Sequence, residues 1–212
     1  MIDVNQQINS VRRTLGGRTL EAGEARVSTI SQVYDTGIDD LWEVVTSPAR
    51  IARWFAPVTG ELKEGGHYQI EGNAGGTVTG CDKPNGYTAT WEYGGEVSWI
   101  EVRLTPAGGG TRFELEHVAH VKAEFWDRYG PGATGIGWDL SLMGLYLHLR
   151  NPDAPRPSTA EMETWARSAE GRDFIRRAAD AWQSAAVAAG DDPAEAAASA
   201  DRCFAFYTGA EA

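Results

Sequence analysis

The 212-residue sequence is short of cysteine, of basic residues and of long apolar runs. Its two cysteines, Cys81 and Cys203, are far apart. They make neither a disulfide framework nor a zinc-ligand spacing, so reduced thiols are expected. Nineteen Lys and Arg face thirty Asp and Glu, a formal net charge of −11. A nucleic-acid binder needs a basic surface to displace counterions, and docking on anionic membranes needs one too, so neither partner is expected. No apolar run approaches the roughly 20 residues of a membrane helix, so no membrane insertion is expected. The N-terminal MIDVNQQINSVRR has no apolar core and no cleavage site. No signal peptide is visible there, and a cytoplasmic protein is the expectation. None of the four histidines falls at an HxxxH or similar spacing, so no metal and no cofactor is expected. The run Gly72 to Gly76 lacks the lysine and the following helix of a phosphate loop, and it reads as a hairpin turn.

What the sequence does have is aromatic bulk, with eight tryptophans, and a marked order of textures. Val4, Ile8, Val11 and Leu15 fall at helical spacing, which predicts a helix over Val4 to Leu15 ended by Gly16-Gly17. Arg26 to Tyr34 reads as a first strand. In Ile38 to Pro57, Ile38, Leu41, Trp42 and Val45 share one helical face, and Asp39 and Asp40 suit the first turn of that helix. Ser47-Pro48 then opens a second short helix carrying Ile51, Trp54 and Phe55. From Gly60 to His120, six short segments beginning at Glu61–Leu62 alternate and are separated by glycine-rich turns. Such tight spacing predicts antiparallel hairpins, because a parallel crossover needs a dozen residues or more. Past Pro131-Gly132, Trp138, Leu142, Leu145, Tyr146 and Leu149 form a helical stripe that suits the open face of the sheet. A proline-rich linker leads into two alanine-rich helices, expected to pack on the domain or on a partner.

This order, with the segments RVSTISQVYD, IDDLWEVVTSPARIARWF, GELKEGGHYQI, ATWEYGG, TRFELEHVAH and GIGWDLSLMGLYLHL, resembles the START-like (SRPBCC) superfamily of helix-grip domains. Within it the chain is similar to the branch named after activators of the Hsp90 ATPase, which also appears beside polyketide cyclases. The resemblance implies an α+β fold, a curved antiparallel sheet gripping a long C-terminal helix with a cavity between them. It spans residues 24–150, leaving an N-terminal helical segment, 1–23, and a helical extension, 151–212. Members use the cavity for apolar molecules, and some catalyse cyclisation or dehydration there. A small apolar or aromatic ligand is the expected partner. A chaperone-associated role, and self-association through the tail into a homo-oligomer, stay open beside it.

In a helix-grip domain Trp42, Trp54, Phe55, Trp91, Phe113, Trp138, Leu142 and Tyr146 would converge on the cavity. Read blandly, most are plain core; read functionally, they wall a small-molecule site. His117 shares a strand face with Phe113 and Leu115. It is either a satisfied core histidine, a ligand hydrogen-bond partner, or the acid/base of an enzyme in the same cavity. Asp139 is expected to be solvated or capping, and His120 and His148 to lie at the surface or at helix ends. Cys81 has no partner base in sequence and reads as unreactive.

Overall fold

The computed structural model describes residues 2–210. Its elements run α1 (Val4–Ser10), β1 (Val11–Leu20), β2 (Gly23–Tyr34), α2 (Ile38–Thr46), α3 (Pro48–Ile51), β3 (Val58–Gly60), β4 (His67–Ile70), β5 (Gly75–Asp82), β6 (Gly86–Tyr93), β7 (Glu96–Ala107) and β8 (Gly110–Ala119). The helices α4 (Ala123–Tyr129), α5 (Gly132–Arg150), α6 (Thr159–Arg167), α7 (Ala169–Ala188) and α8 (Pro193–Thr208) follow. None of the helices among the described residues is long and apolar enough to cross a membrane.

All eight strands form one antiparallel sheet in the order β1-β2-β8-β7-β6-β5-β4-β3. Sequential strands pair as hairpins, as their short glycine-rich turns require. Gly94 and Gly95, at φ +60° and +83°, close the β6–β7 turn in the left-handed region that side-chain-bearing residues avoid. The single non-sequential pairing is β2 with β8. It arises because α2 and α3 carry the chain across to the far edge, where β3 begins. Alternation then splits the faces. Phe113 and Leu115 of β8 are buried on the inner side. On the outer side Arg103 meets Glu114, and Arg18 meets Glu101 and Glu116, in partly exposed ion pairs.

Two expectations are corrected at the edges of the sheet. The predicted helix over Val4 to Leu15 stops at Ser10, and the chain turns extended at Val11. Val4 and Ile8 keep their helical places, but Val11 to Leu20 pairs residue by residue with β2, and Gly16-Gly17 sits inside the strand. Helical spacing in a short segment is equally compatible with a strand when a long-range partner is available. At the far edge the strand is Val58–Gly60, just before the predicted Glu61–Leu62.

The long helix α5 carries more than one apolar stripe. Ile136, Leu142 and Leu145 are fully or almost fully buried, and so is Asp139. The sheet covers one side of α5 and α7 another, and both belong to the same buried cluster, which includes Leu41, Phe174 and Trp182. Burying a side chain of this size contributes about 1.5–3 kcal/mol. The close approach of α7 depends on Gly135, where a Cβ would stand 2.3 Å from the Trp182 ring.

Between these layers lies a buried ion pair. The Arg13 guanidinium of β1 donates through Nε to both Asp139 oxygens at 3.1 Å, and through a second nitrogen to Oδ1. Its remaining N–H groups donate to the Ile8 and Val11 carbonyls. The Trp182 indole N–H donates to Asp139 Oδ2 at 2.8 Å. Asp139 is therefore neither solvated nor a cap. Burial pushes its carboxyl up, and Arg13 and Trp182 pull against that shift. The sequence placed Asp139 beside Trp138 but had no way to show that α7 would close over its side of the helix.

Removing one partner of such a pair leaves a buried charge without compensation and typically costs about 3–5 kcal/mol. Asp139→Asn should lose that much in a urea-unfolding titration, whereas Arg13→Met combined with Asp139→Leu should recover most of it. A loss under about 1 kcal/mol for the single variant would overturn this account. A chain ending at Asn151, which lacks Phe174 and Trp182, should show no cooperative unfolding transition.

Candidate functional site

A cavity of about 440 Å³ opens between the inner face of the sheet, α5 and the α2–α3 segment. The helix α2 forms because its apolar residues recur on one face, and that face buries Leu41, Trp42, Val44 and Val45. Ser47 ends α2, and Pro48 starts α3 with its φ preset and no N–H to lose. The chain then delivers Ile51, Trp54 and Phe55 to the cavity, with the last two rings 5.6 Å apart. The Trp54 indole N–H is held by the Val44 carbonyl at 3.1 Å.

The sheet supplies the opposite wall. Tyr87, Ala89 and Trp91 line the cavity from β6, and Phe113 and Leu115 from β8. Tyr68 of β4 also lines it, its hydroxyl donating to the Thr90 carbonyl at 2.5 Å. Burial, reinforced by Glu92, pushes that phenol up to about 12. From α5 come Trp138, Ser141 and Leu142. Trp138 lies against Trp91 with ring centroids 5.0 Å apart. The charged lining residues are Glu43, Lys63, Glu64 and Lys83. They are exposed and make a rim, across which Lys83 Nζ donates to Glu43 Oε1 at 3.0 Å.

Seven of the residues singled out from the sequence therefore meet at one cavity: Trp42, Trp54, Phe55, Trp91, Phe113, Trp138 and Leu142. Tyr146 and His117 are not in its wall. Tyr146 sits on another side of α5, where its hydroxyl accepts from Arg150 at 2.8 Å. Tyr68, Tyr87 and Leu115 also line the cavity, beside aliphatic residues such as Ile70, Val78 and Ile100, and were missed as site residues. Tyr87 and Leu115 were legible from alternation, each two or four residues from a named neighbour on the same strand face.

His117 points inward, as its strand parity predicts, but it stands behind Trp138 as seen from the cavity. An indole can only donate, so the Trp138 N–H at 3.4 Å makes His117 Nδ1 the acceptor. Nε2 then carries the proton and donates to Ser98 Oγ at 2.8 Å, and Ser98 donates to the Trp91 carbonyl at 3.0 Å. Burial lowers the His117 pKa to about 4. Both ring nitrogens are engaged and the charged form is disfavoured, so His117 orients Trp138 and offers no free acid or base to the cavity. His148 lies at a helix end, in the last turn of α5, but is buried, with both ring nitrogens lacking a partner among the described residues. Burial and then Arg50 and Arg53 lower its pKa. Cys81 is exposed on the cavity lining. Among the described residues no group of His, Cys, Asp and Glu is arranged to hold a metal ion.

The model of one protein family, described as "Activator of Hsp90 ATPase homolog 1-like protein", matches residues 35–150. The chain belongs to this family. Its fold is that of CalU16 from Micromonospora echinospora, which has been solved twice. The crystal structure is 31% identical, covers 85% of this chain and 99% of CalU16, and gives a TM-score of 0.63. The solution NMR structure is 32% identical, covers 85% and 97%, and gives 0.67. That coverage exceeds what residues 1–150 alone would supply, so the likeness reaches into the helices after α5. Protein MLL2253 from Mesorhizobium loti, 18% identical, covers 61% of this chain and 100% of its own with a TM-score of 0.53, a likeness of fold. No curated protein matches the chain. The family member described here is thus an α+β helix-grip protein.

The lowered His117 pKa carries a sign. The folded state holds the ring neutral while the unfolded chain protonates near pH 6.5, so this contribution to stability is lost as pH falls from about 6.5 toward 4. Between pH 7 and about 4.5 the loss from this one group is about 2 kcal/mol. Urea unfolding at the two pH values should show His117→Gln losing less than the native chain by about that amount; an equal loss would refute the assignment.

Proposed function

We propose that this protein binds a small apolar or aromatic molecule in the cavity between sheet and α5. One observation carries the reading. A folded chain keeps about 440 Å³ open inside a wall of tryptophan, tyrosine, phenylalanine and aliphatic side chains, with its charges confined to the rim. Interiors are otherwise packed to crystal density, so an apolar space of this size is costly to leave empty and gains most by being filled. Membership of the family is consistent with such a use. A cytoplasmic location fits the acidic composition and belongs to the same reading.

The cavity supports binding better than catalysis. Acid/base chemistry needs a titratable group within hydrogen-bond reach of the guest. His117, the candidate for that role, is screened by Trp138 and bonded at both nitrogens. The wall carries hydroxyls and rings instead.

A thermal-shift and native mass-spectrometry screen against aromatic and lipid compounds tests the reading. A ligand at a hundredfold its Kd should stabilise the protein by about 2.7 kcal/mol. Ala89→Leu, which adds side-chain volume to the β6 wall, should cut that stabilisation while leaving the unliganded protein folded. Failure of every compound to bind, or equal stabilisation of the filled variant, would sink the proposal.

A further inference from the structure

Three of the six ring-borne polar groups of the cavity wall are tied back to the protein. Trp54 donates to the Val44 carbonyl, Tyr68 to the Thr90 carbonyl and Trp138 to His117. Trp42 and Tyr87 differ. Trp42 is nine-tenths buried, at 5% exposure, yet no protein group among the described residues accepts from its indole N–H. The Tyr87 hydroxyl likewise has no protein partner among the described residues, and neither has the indole N–H of Trp91, whose ring packs on Trp138. Trp42 and Tyr87, like Trp91, line the cavity. Neither atom is sealed in, unlike the orphaned ring nitrogens of His148. The two rings meet edge to face, with centroids 6.4 Å apart and planes at 78°. They place two unsatisfied donors side by side where the α2 wall meets the sheet.

An unmet donor in an apolar enclosure costs free energy, and a guest that meets it recovers that cost. Indole N–H can only donate, so the complementary group must be an acceptor. Burial, with Tyr68 adding to it, pushes the Tyr87 phenol up, so it too stays protonated as a donor. The acceptor need not be anionic, because the lysines of the lining stand at the rim, with Lys83 paired to Glu43 and Lys63 to Glu61. We infer that the cavity takes an aromatic molecule carrying a neutral acceptor oxygen, a ketone or quinone carbonyl, to which the Trp42 indole N–H and the Tyr87 hydroxyl donate. This rests on the cavity-binding reading and adds the class of guest. A carbonyl oxygen has two lone pairs and so has room for both donors. Trp42 and Tyr87 are then specificity-determining residues of the site.

Two nearly isosteric probes separate the claims: methyl naphthyl ketone and isopropenylnaphthalene, in which a methylene group replaces the carbonyl oxygen. Binding of each is followed by quenching of tryptophan fluorescence, and the ketone's carbonyl stretch by infrared difference spectroscopy. The ratio of ketone to hydrocarbon affinity should fall roughly threefold to tenfold in Tyr87→Phe and in Trp42→Phe, the range expected for one hydrogen bond. The carbonyl stretch of the bound ketone should lie at lower frequency in the native chain than in either variant. Should Trp42→Phe fail to fold, Tyr87→Phe and the infrared shift decide alone. An unchanged ratio and an unshifted carbonyl would overturn the inference while leaving cavity binding intact. If neither probe binds the native protein, the inference falls, whereas the cavity-binding reading stands or falls with the compound screen.

Discussion

The Arg13–Asp139 ion pair is the constraint on which the rest of the arrangement depends. It joins the first strand, the gripped helix and, through the Trp182 indole, the helical extension. A buried pair contributes little net stability compared with apolar residues of the same volume, because desolvation offsets the attraction. Its effect is on selection among packings. Any alternative that slides β1 along β2, or turns α5 about its axis, strands a guanidinium or a carboxylate in an apolar interior. Adjacent residues on α5 point about 100° apart. Fixing Asp139 toward Arg13 and Trp182 therefore fixes Trp138 toward the cavity.

From that fixed helix the cavity wall follows by short steps. Trp138 is aimed by α5 and held from behind by His117, which is held by Ser98, which is held by the Trp91 carbonyl. The chain of hydrogen bonds runs from the helix through three strands. It ties the two tryptophans that pack against each other in the cavity wall to one polar network. A histidine in such a network works as a spacer with a defined tautomer, and its low pKa follows from that placement rather than from proton transfer.

How much of this was readable in advance divides along sequence separation. The α2–α3 segment was legible because the periodicity of Ile38, Leu41, Trp42 and Val45 is local, as is the Ser47-Pro48 break. Hairpins were legible because glycine pairs such as Gly94-Gly95 demand a turn wherever they fall. The strand β1 was not, because Val4, Ile8, Val11 and Leu15 fit a helix, and the rival pairing lies with residues across the turn in β2. Asp139 was illegible for the same reason on a larger scale, since Arg13 is 126 residues away. His117 was half legible: strand parity turned it inward, but whether an inward ring reaches the cavity depends on what α5 places before it.

An aromatic wall alone would accept many apolar guests about equally, because burial of rings is non-directional. Selectivity has to come from groups whose satisfaction depends on the guest. Tethered rings such as Trp54, Tyr68 and Trp138 have spent their polar atoms on the protein, so they contribute shape and area. Trp42 and Tyr87 retain theirs, and retention is costly in an enclosed site. The same physical reasoning that makes the tethered rings bland makes these two informative: they keep neighbouring, reachable donors at a place where a guest can satisfy them.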